Sequence, residues 1–277
     1  IGRRVSRSFV DAVRASVTFL RKPIPPFRYW KGMRGRHFLV DYFRSQSESR
    51  RQGGGTDLLS ELCRAEDQDG ERLTDAEIVQ HIVFLMFAAH DTTSSALTTT
   101  VWALCEHPEW QSRLRSEIAS LGAPMVDYDT LSSLEEMDWV FKEALRLEPP
   151  GAFMVRRTVR DVELGPYRLP KNLSISPVSR VTHYLPEWWA EPTRFDPVRF
   201  SPERAEHKQH PGVYFPFGGG AHACLGVHLA TMQAKAFLYQ LLRRFELELD
   251  TKRPTKFQMV PMPHPTNDLP VRLRPIR

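Results

Sequence analysis

The sequence is poor in cysteine and has no apolar run long enough to cross a membrane. Its 277 residues include Cys63, Cys105 and Cys224 as the only cysteines; three thiols cannot all pair, and their spacing fits no zinc site. The longest apolar run covers residues 82–89, well short of a bilayer span, and the first residues do not resemble a signal peptide. We therefore expect a protein of a reducing compartment, the cytoplasm.

Charge of one sign is not in large excess either. Lysine and arginine number 38 against 33 aspartate and glutamate, which gives a net charge of +5. Both signs are spread along the chain, so we expect no nucleic-acid partner. The mild excess is compatible with a basic patch that binds an acidic electron-transfer protein.

Helical periodicity covers most of the chain and strand patterns cover little of it. Thr74 and Glu77 form a capping-box pattern, which predicts the start of a long helix. Short alternating runs separated by prolines predict a small antiparallel sheet over 155–175. The expected fold class is mainly α with small β-sheets (α+β). The predicted helices are 5–20, 32–51, 57–66, 74–106, 108–121, 134–147 and one from the region of Cys224 to about 245, with further strands at 245–249 and 269–273.

Residues 217–226 read Phe-Gly-Gly-Gly-Ala-His-Ala-Cys-Leu-Gly and precede a helical pattern. A thiol at a helix start lies near the positive end of the dipole, a position that suits an anionic ligand. The glycines allow a tight turn and close approach to a large flat group. These features predict a thiolate-ligated metal cofactor held by Cys224. The alternatives are a small buried hydrophobic cysteine and a thiol hydrolase that pairs Cys224 with His222 or His228.

The long predicted helix carries Ala-Ala-His-Asp-Thr-Thr at 88–93, with Asp91 and Thr92 in an apolar context. A buried aspartate there requires a reason. Thr92 can bond back to the carbonyl of Ala88, and Asp91 can cap a local kink. Alternatively, a locally opened helix forms a groove for dioxygen and water, and Asp91 and Thr92 relay protons to it.

Glu143 and Arg146 are three residues apart on a predicted helix, so they share one face. Their apolar neighbours predict that this face is buried. A buried ion pair needs further hydrogen-bond partners, and Arg199 in the segment 195–200 can supply one. We interpret all three as structural residues with no direct chemistry.

Together these segments resemble the cytochrome P-450 family, in particular its soluble bacterial members. The loop 217–226 is similar to the family's haem loop, Phe-x-x-Gly-x-(Arg/His)-x-Cys-x-Gly. The segment 88–93 resembles the family's (Ala/Gly)-Gly-x-(Asp/Glu)-Thr-(Thr/Ser) signature but has Ala89 where glycine is usual. The pair Glu143 and Arg146, the small sheet and the segment 195–200 follow in the family's order.

The resemblance implies a haem-thiolate monooxygenase that inserts one oxygen atom of dioxygen into a lipophilic small molecule. The cofactor would be haem b (iron protoporphyrin IX), and the electrons would come from a ferredoxin or a similar external donor. Asp91 and Thr92 would be catalytic, and Cys224 would be the iron ligand. Arg156 and His222 would bind the haem propionates, with His183 a weaker candidate for that role. The other implied cofactor-binding residues are Ala88, Ala89, Phe217, Gly218 and Gly226.

Members of this family are substantially longer at the N-terminus. We therefore expect residues 1–277 to be the C-terminal part of a single cytochrome P-450 haem domain, with the N-terminal portion missing. A membrane anchor in that portion remains open. Lys235, Arg243 and Arg244 on the last helix are expected to help receive the electron donor. The alternative is a truncated, non-catalytic remnant that acts at most as a helical interaction module through its exposed apolar faces.

Overall fold

The computed structural model of the protein describes residues 2–53, 55–122, 126–250, 254–259 and 262–276. These residues form two compact units, one ending at Asp91 and the other beginning at Thr92. None of the helices among the described residues is both long enough and apolar enough to span a bilayer.

The first unit is helical. Its helices α1 and α2 approach closely because two glycines of α2, Gly32 and Gly35, face α1. A Cβ atom at Gly35 would overlap the carbonyl oxygen of Ser8, and one at Gly32 would overlap the side chain of Ala15. Only hydrogen side chains permit this contact between the helix backbones. The elements of this unit are α1 (Gly2–Ser16), α2 (Arg28–Gln52), α3 (Leu58–Arg64) and the first part of α4 (Asp75–Glu106).

The start of α4 confirms the capping-box prediction. The Thr74 N–H donates to Glu77 Oε2 at 2.8 Å, and the Glu77 N–H donates to Thr74 Oγ1 at 3.3 Å. Each side chain thus satisfies a backbone donor that the first turn leaves unpaired. A small apolar core of Leu59, Cys63 and Ile78 holds α3 against α4.

Two helix boundaries differ from the prediction. Helix α1 ends at Ser16 instead of residue 20, and α2 begins at Arg28 instead of residue 32. The hydroxyls of Ser16 and Thr18 donate to the carbonyls of Val13 and Arg14 at 2.7 and 2.9 Å. These bonds satisfy orphan carbonyls at the end of α1, so local side chains terminate the helix before its apolar pattern ends.

The second unit packs its helices around an apolar core that includes Leu104, Leu114, Met137, Val140 and Leu238, all fully buried. These side chains come from four different helices, so the core joins elements distant in sequence. The helices are the remainder of α4, α5 (Pro108–Ser120), α6 (Tyr128–Ser132), α7 (Glu135–Leu147), α8 (Ser179–Thr182) and α9 (Val227–Leu242).

The strands of this unit pair as short antiparallel ribbons, which confirms the prediction of a mainly α fold with small sheets. The last strand starts two residues later than predicted, because Asp268 and Leu269 adopt positive φ angles of 56° and 46° that turn the chain first. The pairs are β1 (Arg156–Arg157) with β4 (Ser174–Ile175), β2 (Val162–Leu164) with β3 (Tyr167–Leu169), β5 (Phe245–Leu249) with β8 (Val271–Pro275), and β6 (Phe257–Gln258) with β7 (His264–Pro265).

Candidate functional site

The cysteine loop is a tight turn closed by main-chain hydrogen bonds. The Gly218 N–H donates to the Phe215 carbonyl at 3.0 Å, and the Cys224 N–H donates to the Phe217 carbonyl at 2.9 Å. Gly226 then forms the N-cap of α9. The position of the thiol is therefore set by the backbone of the turn and by the start of the helix.

The face of this turn is bare and its thiol is accessible. Gly218 and Gly220 have φ angles of +74° and +67°, a left-handed conformation that favours glycine. A Cβ atom at Gly220 would meet nothing within 4 Å. Cys224 is exposed, and the adjacent Leu225 is 91% exposed. An accessible thiol beside bare backbone and an uncovered apolar side chain fits a flat, largely apolar group bound through sulfur.

The side chains around Cys224 do not form a cluster of metal ligands in the part of the chain that the structure describes. Among the residues that the structure describes, no group of three or more His, Cys, Asp or Glu side chains is placed to hold an ion.

Phe217 fastens the turn to the second unit. Its ring is half-buried and packs against a cluster formed by Ala96, Phe141, Leu145 and Ala234. These residues belong to α4, α7 and α9, so one aromatic side chain ties the cysteine loop to three helices.

Two of the predicted propionate ligands lie in the second unit with exposed side chains. His222 ends a short 3₁₀ turn, Gly220–His222, within the cysteine loop. Arg156 is in β1, two residues after Met154, whose sulfur lies 3.6 Å from the position a Gly218 Cβ would take. The segment that leads into β1 therefore approaches the cysteine loop. The Arg156 guanidinium donates one hydrogen bond, to the carbonyl of Val155 at 3.1 Å. Its other N–H groups can bind an anionic ligand.

Glu143, Arg146 and Arg199 come together as a buried ion network. Arg146 donates from Nε and Nη2 to the two carboxylate oxygens of Glu143 at 2.6 and 2.9 Å. Arg199 Nε lies 3.4 Å from Glu143 Oε1, an ion pair without hydrogen-bond geometry. Burial raises the pKa of the Glu143 carboxyl, while Arg146, the Asp196 N–H and Arg199 oppose that shift.

The backbone completes this network. Arg146 also donates to the carbonyls of His183 and Pro192, both at 2.7 Å, and to that of Arg194 at 3.1 Å. The Asp196 N–H donates to Glu143 at 2.9 Å. These bonds provide the partners that a desolvated ion pair needs, and they fix the chain that precedes the cysteine loop.

His183 has a different role from the predicted one, because both of its ring nitrogens already have partners. Nδ1 lies 3.0 Å from the Arg146 carbonyl oxygen, and the Phe215 N–H donates to Nε2 at 3.2 Å. Burial lowers the pKa of the imidazole to about 4. A neutral ring with both nitrogens bonded cannot bind a propionate. Sequence reasoning missed this contact because the partners are more than thirty residues apart.

The segment 88–93 lies within α4, which continues without a break from Asp75 to Glu106. The expected local opening therefore does not interrupt the helix. Asp91 is also less buried than expected: its side chain is 43% exposed, and its carboxylate lies 2.6 Å from His90 Nδ1. Phe84 and Phe87 are exposed on the same side, at helical spacing from Asp91, so the aspartate lies on an uncovered apolar face. Ala89 is exposed and Ala88 is half-buried on this part of the helix.

Lys235 cannot serve the expected partner surface. Its side chain is 4% exposed, and Nζ donates to the Ser132 carbonyl at 3.1 Å, at the end of α6. Burial lowers the pKa of this amine. Lys235 lies on the core side of α9, whereas Arg243 is half-buried and Arg244 is exposed beyond the helix end.

Comparison with known proteins gives one family. The family model described as cytochrome P-450 matches residues 7–271. The chain is 42% identical to cytochrome P-450 136 of Mycobacterium tuberculosis over 275 residues, which cover 98% of this chain and 56% of that protein. It is 30% identical to cytochrome P-450 120 of Synechocystis sp. over 254 residues, or 91% of this chain and 57% of that protein.

A solved structure shares the fold. The retinoic acid-bound cyanobacterial CYP120A1 superposes with a TM-score of 0.90 at 28% sequence identity, over 97% of this chain and 62% of that chain. The chain spans about half the length of the curated relatives that it matches.

Proposed function

The chain belongs to the cytochrome P-450 family, and from that premise we propose that the protein is a haem-thiolate monooxygenase. It inserts one oxygen atom of dioxygen into a lipophilic small molecule. Residues 1–277 form the C-terminal part of a single haem domain, and the protein acts in the cytoplasm. The observation that carries the proposal is the exposed Cys224 thiol on a bare, glycine-lined turn at the start of α9.

Residues of the second unit bind haem b, each with a different role. Cys224 is the iron ligand, and Phe217, Gly218 and Gly226 shape the turn that presents it. Arg156 and His222 bind the propionates. When bound, haem would supply the activation of dioxygen, which a thiolate ligand favours.

Residues of α4 have two roles in the proposal. Ala88 and Ala89 have short side chains, which leave room for a cofactor face. The carboxylate of Asp91 and the hydroxyl of the neighbouring Thr92 form the proton relay. The support for this role is the partial exposure of Asp91 and its contact with His90, since a proton relay needs access to a proton source.

A lipophilic substrate is supported by the uncovered apolar face of α4. Phe84 and Phe87 expose their rings on the side that also carries Asp91. The structural relative described above holds retinoic acid, a small lipophilic carboxylic acid. We therefore propose a lipophilic small molecule as the substrate class.

Electrons come from a separate donor, a ferredoxin or a protein like it. The mild positive charge of the chain supports an acidic partner. Of the three basic residues expected to receive the donor, Arg244 is exposed. Lys235 is buried and donates to the Ser132 carbonyl instead.

The deciding experiment replaces one sulfur atom. We expect the haem-loaded protein, reduced and treated with carbon monoxide, to show the strongly red-shifted Soret band of thiolate-ligated haem. Cys224→Ser should lose that band, because a hydroxyl does not form the thiolate bond.

Cys105→Ser is the matched control, because Cys105 is likewise a free cysteine, although it is half-buried and lies on α4. This variant should retain the band. An unchanged spectrum in Cys224→Ser would refute the proposal. A protein that binds no haem would support the non-catalytic helical module instead.

A further inference from the structure

His183 is a fully buried histidine to which the proposed function assigns no role. A backbone N–H can only donate, so Nε2 must accept the bond from Phe215. Nδ1 must then carry the proton and donate it to the Arg146 carbonyl. The two partners therefore select the neutral imidazole with its proton on Nδ1.

One end of this bridge is the buried ion network. Arg146 and His183 are joined twice, because the Arg146 guanidinium also donates to the His183 carbonyl at 2.7 Å. Arg146 is itself held by both carboxylate oxygens of Glu143. The imidazole is thus attached to a group that has little freedom to move.

The other end is the turn that presents the thiol. The Phe215 carbonyl accepts from Gly218, and the Phe217 carbonyl accepts from Cys224. A continuous path of hydrogen bonds and short backbone segments therefore runs from the ion network through the imidazole to the cysteine. Aromatic packing holds the ring in place: Tyr214 stacks on it at 5.3 Å between ring centroids.

We propose that His183 is a positioning residue for Cys224, which couples the Glu143–Arg146 network to the turn that presents the thiol. This role of His183 rests on the proposed function, because it assumes that Cys224 binds haem iron. Only a ring with a donor and an acceptor on opposite sides makes both bonds. An amide side chain of similar length reaches one partner and leaves the other unpaired.

This geometry gives matched variants. His183→Asn places an N–H near the position of Nδ1 and loses the bond to Phe215. His183→Gln places an oxygen near the position of Nε2 and loses the bond to Arg146. His183→Phe retains the ring volume and the stacking but makes neither bond.

The first measurement is amide hydrogen exchange over residues 215–224 in the haem-loaded protein. Loss of one hydrogen bond of ordinary net strength shifts a local opening equilibrium by about tenfold. We expect exchange in this segment to become about tenfold faster in His183→Phe. His183→Asn and His183→Gln should change in the same direction, because neither completes the bridge.

The second measurement is the spectrum of the reduced, carbon monoxide-treated protein. We expect each His183 variant to lose part of the red-shifted band while binding the same amount of haem, since the thiol is less well held. His207→Phe is the control, because His207 lies in the same aromatic cluster, 6.1 Å from the Tyr214 ring, and its buried Nδ1 has no hydrogen-bond partner among the described residues. It should retain both the band and the slow exchange.

If the three His183 variants match His207→Phe in exchange and spectrum, the proposal is wrong. If His183→Phe fails to fold, the exchange rates and spectra of His183→Asn and His183→Gln test the proposal. A wild-type protein without the red-shifted band would refute the proposed function, whereas the exchange experiment would still test the bridge by itself.

Discussion

Arg146 shows how a fully buried charge is accommodated. Its guanidinium binds both oxygens of Glu143 and donates to the carbonyls of His183, Pro192 and Arg194. Desolvation of such a pair costs several kcal/mol per ion, about as much as the attraction returns. The network therefore contributes geometry more than net stability: one side chain fixes three separate points of the chain.

His183 also predicts a pH dependence of stability. Its pKa is lowered from the usual 6.5 to about 4 by burial, and the neighbouring Arg146 charge adds to that effect. Between these values the unfolded state binds more protons, so stability is complete above pH 6.5 and falls as the pH drops toward 4. A shift of this size corresponds to about 3 kcal/mol. Urea unfolding from pH 7 to pH 4 measures the loss.

His183→Asn supplies the comparison for this prediction. Carboxylates titrate in both proteins, so their contribution cancels in the difference between the two unfolding free energies. His207, whose pKa burial also lowers to about 4, cancels in the same way. We expect the difference to shrink as the pH falls. A difference that stays constant from pH 7 to pH 4 would contradict a neutral, buried imidazole.

Residues with only local partners were predictable from the sequence, and those with distant partners were not. Glu143 and Arg146 are three apart, so helix geometry predicts their pairing. The partners of His183 and Lys235 lie about 30 to 100 positions away. No local pattern indicates such contacts, and a lysine on a helix is usually assigned to the surface.

At the scale of elements, the close contact of α1 and α2 depends on Gly35. In Gly35→Ala the added methyl group would overlap the Ser8 carbonyl, and the helices would have to separate. We expect a loss of about 1–3 kcal/mol, the usual cost of overpacking, measured by urea unfolding. Gly2→Ala is the control, because a Cβ atom there meets nothing within 4 Å. Equal stabilities of the two variants would contradict this contact.

Elements with explicit start or stop signals were predicted well. The capping box at Thr74, the start of α5 at residue 108 and the small sheet over 155–175 all appear where the sequence indicates. The end of α1 and the start of β8 were displaced. Hydrogen bonds from the Ser16 and Thr18 hydroxyls set the end of α1. Two residues with positive φ angles set the start of β8. Hydrophobic periodicity does not indicate either feature.

At the scale of the whole molecule, haem binding should stabilise the folded state. A ligand that binds only the native protein adds about 2.7 kcal/mol at a free concentration of 100 times its Kd. We therefore expect the haem-loaded protein to melt at a higher temperature than the haem-free protein. The increase should be smaller in Cys224→Ser, which lacks the iron ligand, and calorimetry measures both. Equal melting temperatures with and without haem would contradict a cofactor bound at this site.

Main-chain hydrogen bonds close the turn that holds Cys224, one between Gly218 and Phe215 and one between Cys224 and Phe217. Such bonds do not depend on which side chains the intervening residues carry, provided that the left-handed positions stay glycine. The sulfur atom can therefore keep its place while the loop sequence diverges. Substitutions at Ala221 or Ala223 can therefore alter the surroundings of the proposed iron ligand without relocating Cys224 itself.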